Sequence, residues 1–169
     1  QDLGGNIEVT GGRAAAGSGG SIHVLTGYGA SSSSGRVTVT TADAGKAGVS
    51  GGVFIQTGTT SEGNSGRFTI ITGDATEGHG GDVRMLVGTG NSGDGGNVVI
   101  RAGDTTARAK TGGQVSITAG TGSSESGTNG GDGGPIFVTA GEAKGNSDHD
   151  TGGSIMLTGG KAAAGTGGA

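Results

Sequence analysis

The sequence predicts an all-β fold of the β-solenoid kind, with about ten coils of 15–17 residues each. Three observations predict it. A nine-residue unit, seen in residues 19–27 as Gly-Gly-Ser-Ile-His-Val-Leu-Thr-Gly, recurs ten times, starting at residues 4, 19, 34, 50, 65, 80, 95, 112, 133 and 152. Within it, apolar residues alternate with the period of two that places side chains on one face of an extended chain. The start-to-start spacings are 15, 15, 16, 15, 15, 15, 17, 21 and 19, so a fixed segment alternates with a connection of variable length.

The repeats are numbered from position 1 to position 9. Position 2 is glycine in all ten, and position 9 is glycine in all but one, where Ala42 stands. Position 4 is Ile7, Ile22, Val37, Val53, Phe68, Val83, Val98, Val115, Ile136 and Ile155. Position 6 is Val9, Val24, Val39, Ile55, Ile70, Met85, Ile100, Ile117, Val138 and Leu157. Most are β-branched, the type that suits a pleated and half-buried surface. Position 8 is always glycine, alanine, threonine or valine, so one face of each segment reads glycine, apolar, apolar, small. The connections carry turn chemistry, as in Asp43-Ala44-Gly45 and Gly90-Asn91-Ser92-Gly93. Their second residue, position 11, is small throughout, which suggests a second, thin inward-facing segment.

Segments of one pattern joined by six or more residues are expected to stack in parallel, like residues forming ladders. The alternative is an antiparallel glycine-rich β-sheet stack, which shorter loops would serve. Helix is excluded by the period and the glycine content. A longer echo overlies the repeats: residues 4–20 read GGNIEVTGGRAAAGSGG and residues 152–168 read GGSIMLTGGKAAAGTGG, 148 residues apart. Residues 1–169 therefore read as a single repeat array slightly longer than one super-repeat, and nine stacked coils would span roughly 43 Å. The start at Gln1, with no initiator methionine or leader pattern, reads as a mature product or a fragment.

Glycine supplies 45 of 169 residues, against about 7 % in ordinary globular proteins. Collagen would need it at every third position, and residues 36–44 contain none. Disorder would lack the periodic apolar pattern. With no cysteine, neither a disulfide nor a thiolate site is available. Net charge is −4 with the two signs interspersed, and the aromatic residues are Tyr28, Phe54, Phe68 and Phe137. No basic stripe or stacking platform for nucleic acid exists, and no apolar run approaches the ~20 residues of a membrane-spanning helix.

Two apolar side chains per coil make a thin core, so further buried surface is expected. The outward positions 5 and 7 supply candidates: Leu25, Phe54, Ile71, Leu86, Val99, Phe137 and Met156. Their expected role is an assembly face packed on another sheet, from a second copy of the chain or a folded-back part of a longer one. Neither end carries a device that blocks edge pairing, which suits axial propagation.

The search for chemistry yields no catalytic, cofactor or metal site. Asp148, His149 and Asp150 carry ligand atoms, but neighbours on an extended segment point apart. Gly130–Gly134 with Asp94 is similar to the Ca²⁺-binding nonapeptide of secreted bacterial proteins, yet the aspartates do not recur in register. Paired threonines of the ice-binding kind occupy positions 5 and 7 only at Thr38 and Thr40. No Asn stands in an N-x-Ser/Thr sequon; the Ser- and Thr-rich connections read as solvated turns that could also carry O-linked glycan.

The tandem units, as in GGSIHVLTG and SGRFTIITG, resemble long glycine-rich repeat proteins inferred for the surfaces and extracellular fibres of algae and other protists. The resemblance implies a non-enzymatic structural protein outside the cell or at its surface, assembling with itself. An adhesion module presenting residues 121–132 and 142–151 to glycan, ice or mineral is the alternative.

Overall fold

The computed structural model describes residues 4–163 and 166–168. Among them there is neither a helix nor a strand; the chain is mostly coil. The β-solenoid is therefore overturned, and the antiparallel sheet stack does not form either, because no backbone ladder joins successive repeats. The coil-stacking length of 43 Å falls with it. The chain divides into two compact halves, Gln1–Arg84 and Met85–Ala169.

The bends nonetheless follow the sequence pattern. Every bend lies in a connection, at residues 15–17, 30–32, 46–47, 61–63, 76–78, 91–93, 107–109, 127–129, 147–149 and 163, and none lies within a nine-residue repeat. Glycine supplies the positive φ of three of these bends at Gly17, Gly63 and Gly93. Glu77 and Ala109 adopt φ of 57° and 56°, where a β-carbon crowds the following carbonyl. At position 11, Gly29 lies against the Ser32 and Ser33 carbonyls and Gly122 against Gly131 and Asp132. In the 152–168 echo, Ala164 and Gly165 lie outside the described residues.

One backbone hydrogen bond closes most connections. The position-2 N–H donates to the position-9 carbonyl of the preceding repeat: Gly20 to Gly12, Gly35 to Gly27, Gly113 to Gly103, Gly134 to Gly120, Gly153 to Gly141 and Gly168 to Gly160, at 2.8–3.1 Å. It closes connections as different as residues 13–18 and 121–132. Lengthening a loop twofold costs only about 0.6 kcal/mol, so length varies while the closure persists.

Position 2 lies against position 8 of the previous repeat both where that bond forms and where it does not. A β-carbon on Gly35 would lie 3.0 Å from Thr26 Cβ, on Gly51 3.3 Å from Thr41 Cγ2, on Gly81 3.4 Å from Thr72, on Gly96 2.7 Å from Val87 Cγ1 and on Gly113 3.2 Å from Ala102 Cβ. Gly66 faces Thr57, Gly134 faces Ala119 and Gly153 faces Ala140 at 3.5–3.8 Å. At the first closure both residues are glycine, and a β-carbon on Gly11 would stand 2.5 Å from the Gly20 carbonyl oxygen. Invariant glycine at position 2 and small residues at position 8 are two sides of one contact. Position 9 is different: β-carbons on Gly27, Gly58, Gly73 and Gly88 would meet open space, so the structure gives no steric reason for glycine there and Ala42 is accommodated.

Exposure reports how consecutive segments run. Position-4 side chains are 51–59 % exposed from the second repeat onward, but Ile7 in the first is 95 % exposed. Position-6 side chains are 63–74 % exposed up to the ninth repeat, but Leu157 in the tenth is 93 % exposed. Position 4 is thus covered from the preceding repeat and position 6 from the following one. With position 8 meeting position 2, this is the order of segments that double back on one another. Parallel coils would place like positions together, and both positions 4 and 6 would then lose cover at each end. Val9 at 69 % and Ile155 at 52 % retain theirs.

Each segment therefore meets its two neighbours at opposite ends, and neither pairing extends into a ladder. The boundary between the halves, after Arg84, falls between positions 5 and 6 of the sixth repeat, where cover passes from the preceding to the following neighbour.

Candidate functional site

The chain presents two faces within each half, defined by even and odd repeat positions. The even face holds the ten position-4 and ten position-6 residues, all apolar, with the small residues of position 8 beside them. Among the described residues no apolar side chain is buried. The most enclosed positions are instead Thr26, Thr57, Ala102, Ala119 and Ala140, all at position 8, with Gly29 and Gly122 in the loops. The reason is local: at each of these position-8 residues the position-2 glycine of the following repeat comes against it, as Gly35 does against Thr26 and Gly66 against Thr57.

The odd face carries the seven residues expected to form an assembly surface. Leu25, Phe54, Ile71, Leu86, Val99, Phe137 and Met156 are 80–87 % exposed, more than the even-face residues of the interior repeats. The Leu25, Phe54 and Ile71 side chains belong to the N-terminal half and the other four to the C-terminal half. They share this face with every charged side chain of the repeats: Glu8, Arg36, Arg67, Asp82, Arg84 and Arg101. Arg84 donates to Asp82 at 2.9 Å, linking positions 5 and 3 along one side of the extended chain. Arg101 pairs with Asp104, and Lys144 lies 3.7 Å from Glu142. These pairs are open to solvent, where such contacts are worth about 0–1 kcal/mol.

The connections hold polar structure of their own. In residues 142–151, Asp150 Oδ2 accepts from the Ser147 N–H at 2.8 Å and the Asp150 N–H donates to the Ser147 carbonyl at 3.0 Å. The His149 N–H donates to Ser147 Oγ at 3.3 Å. The Asp150 carboxylate is thus turned onto its own backbone, away from any shared site with Asp148 and His149. In residues 121–132, the Gly131 N–H donates to the Ser124 carbonyl at 3.0 Å, and Ser126 Oγ lies 3.3 Å from Thr128 Oγ1. In residues 59–64, Thr60 Oγ1 donates to the Glu62 carbonyl at 2.8 Å.

No cluster of three or more His, Asp or Glu side chains able to hold a metal occurs among the described residues, and no pocket is formed. No helix among them is long and apolar enough to cross a membrane. The feature that sequence reasoning missed is the contact between positions 2 and 8. Its signal lay in the alignment of repeats, where the one invariant position, position 2, and a position 8 that is never larger than valine stand at opposite ends of the unit.

Comparison with known proteins finds no match to a family model, a curated protein or a solved structure.

Proposed function

We propose that this chain is a structural protein that assembles with further copies of itself into an extracellular filament or surface fibre. One observation carries the reading: a chain of 15.7 kDa leaves 17204 Å² accessible to solvent. Two folded units of half that mass would together expose about 8,800 Å². The surplus, about 8,400 Å², is roughly ten times the ~800 Å² that one chain contributes to a protein interface of standard size. Apolar side chains repeated along it at near-regular intervals favour association that propagates over association that stops at a pair. The location outside the cell rests on the resemblance of the repeat units to fibre and surface proteins.

Sedimentation velocity across a concentration series, with negative-stain imaging of the heaviest fraction, tests the proposal. Growth into uniform fibres is the expected outcome, and a chain that stays monomeric at every concentration refutes it. The adhesion reading finds support in the internally bonded connections 121–132 and 142–151. Binding of the monomer to a glycan or mineral surface, lost on exchange of those connections for residues 13–18, would favour it instead.

A further inference from the structure

We infer that the even face, the surface of position-4 and position-6 side chains, is the one that docks a second copy of this chain. The inference rests on the self-assembly proposed above and names the face and the partner. Charge distribution argues for this face first. Within the repeats every charged side chain stands at an odd position, whereas the twenty residues at positions 4 and 6 are apolar without exception. Covering the odd face would strip water from Glu8, Arg36, Arg67, Asp82, Arg84 and Arg101, and burying an unpaired charge costs several kcal/mol. Covering the even face desolvates apolar side chains and, beside them, the hydroxyls of Thr26, Thr41, Thr57 and Thr72, but no charge.

Area identifies the partner. The neighbouring segments of the same chain already contact these residues, and they still leave the interior position-4 side chains more than half exposed. The surface left over is several times what one stable interface buries, so cover must come from outside the chain on a comparable scale. Spacing narrows the occupant further. The apolar pairs recur at 15-residue intervals over the first seven repeats apart from one interval of 16, and another copy of the chain offers the same intervals. Glycine at position 2 and residues no larger than valine at position 8 flank each apolar pair.

Val98 and Val99 provide the test, being adjacent residues of one type on opposite faces. The chain lacks cysteine, so V98C and I117C each place a single thiol on the even face, and V99C and F137C place one on the odd face. Each full-length variant carries a photoactivatable cross-linker on its thiol and is mixed with isotope-labelled chain under assembling conditions. Mass spectrometry then separates cross-links between chains from those within one.

The expected result is cross-links between chains from residues 98 and 117, landing on even-face residues, and their loss from residues 99 and 137. Fibres with cross-links between chains from 99 and 137 alone overturn the face while leaving self-assembly intact. Cross-links from 98 and 117 confined to one chain overturn the second copy as occupant. Absence of any assembly overturns both readings.

Discussion

A β-carbon placed on Gly96 would stand 2.7 Å from Cγ1 of Val87, closer than two carbon atoms pack, and this makes Val87 the gauge of how near two successive repeats can come. Bulk at position 8 tracks the closing hydrogen bond. Where position 8 is glycine or alanine, as at Gly11, Ala102, Ala119 and Ala140, the bond forms at 2.8–2.9 Å. Beside Thr26 it lengthens to 3.1 Å. Among the described residues no such bond joins Gly51, Gly66, Gly81 or Gly96, which face Thr41, Thr57, Thr72 and Val87.

Val87→Ala is expected to let Gly96 donate to the Gly88 carbonyl. A net bond of about 0.5–1.5 kcal/mol slows exchange of the Gly96 amide about two- to tenfold, readable by hydrogen exchange in solution NMR. Ala102→Val should do the reverse at Gly113, whose bond to Gly103 is 2.8 Å. Unchanged exchange at both sites would separate closure from position-8 bulk.

Glycine replacements should divide by position. Gly96→Ala drives a methyl into Val87, a strain of about 1–3 kcal/mol, whereas Gly73→Ala meets open space. Proteolysis within the connection at residues 89–94 should accelerate in the first variant and be unaltered in the second. Equal sensitivity of the two would remove the steric account of position 2.

Glu77→Gly is expected to relieve the backbone at φ 57° by about 1 kcal/mol, since glycine occupies the left-handed region without the β-carbon clash. Chemical shifts of residues 76–78 should stay in place while local exchange slows. A shift to a different bend would show that the side chain, not the fold, selects this conformation.

Asp150→Ala removes the acceptor for the Ser147 N–H, a loss of about 1 kcal/mol confined to residues 142–151. Faster exchange of the Ser147 amide is the expected reading. Exchange at Gly153, whose bond to Gly141 closes the same connection from outside it, should hold steady.

Assembly should leave a footprint in tryptic cleavage. Arg36, Arg67, Arg84 and Arg101 lie in extended repeats, while Arg13, Lys46, Arg108, Lys110, Lys144 and Lys161 lie in connections. The free chain is expected to be cut at both sets, and the assembled material at the second set alone. Continued cleavage at Arg84 and Arg101 in fibres would count against face-to-face packing of the repeats.

The sequence by itself determined where the chain bends. Every bend falls among the Gly-, Ser- and Asp-rich connections, because bending depends on local turn chemistry, whereas the strands expected from the alternation at positions 4 and 6 do not form among the described residues. It also held the signature of the closure, in the glycine of position 2 and the small residue of position 8. What it did not contain was the direction of the following segment. Val24 and Val37 suit a parallel ladder or a chain doubling back equally well, since the apolar pattern is identical in both.

Tertiary structure decided that direction through the Gly20–Gly12 type of bond, which returns position 2 to the end of the preceding segment. It also decided against the β-solenoid, because segments that double back bring unlike positions together, whereas parallel coils need like positions in register. The even face remains open for that reason. Local preference shapes each repeat, but burial of its apolar residues requires surfaces that a single chain of this geometry does not bring together.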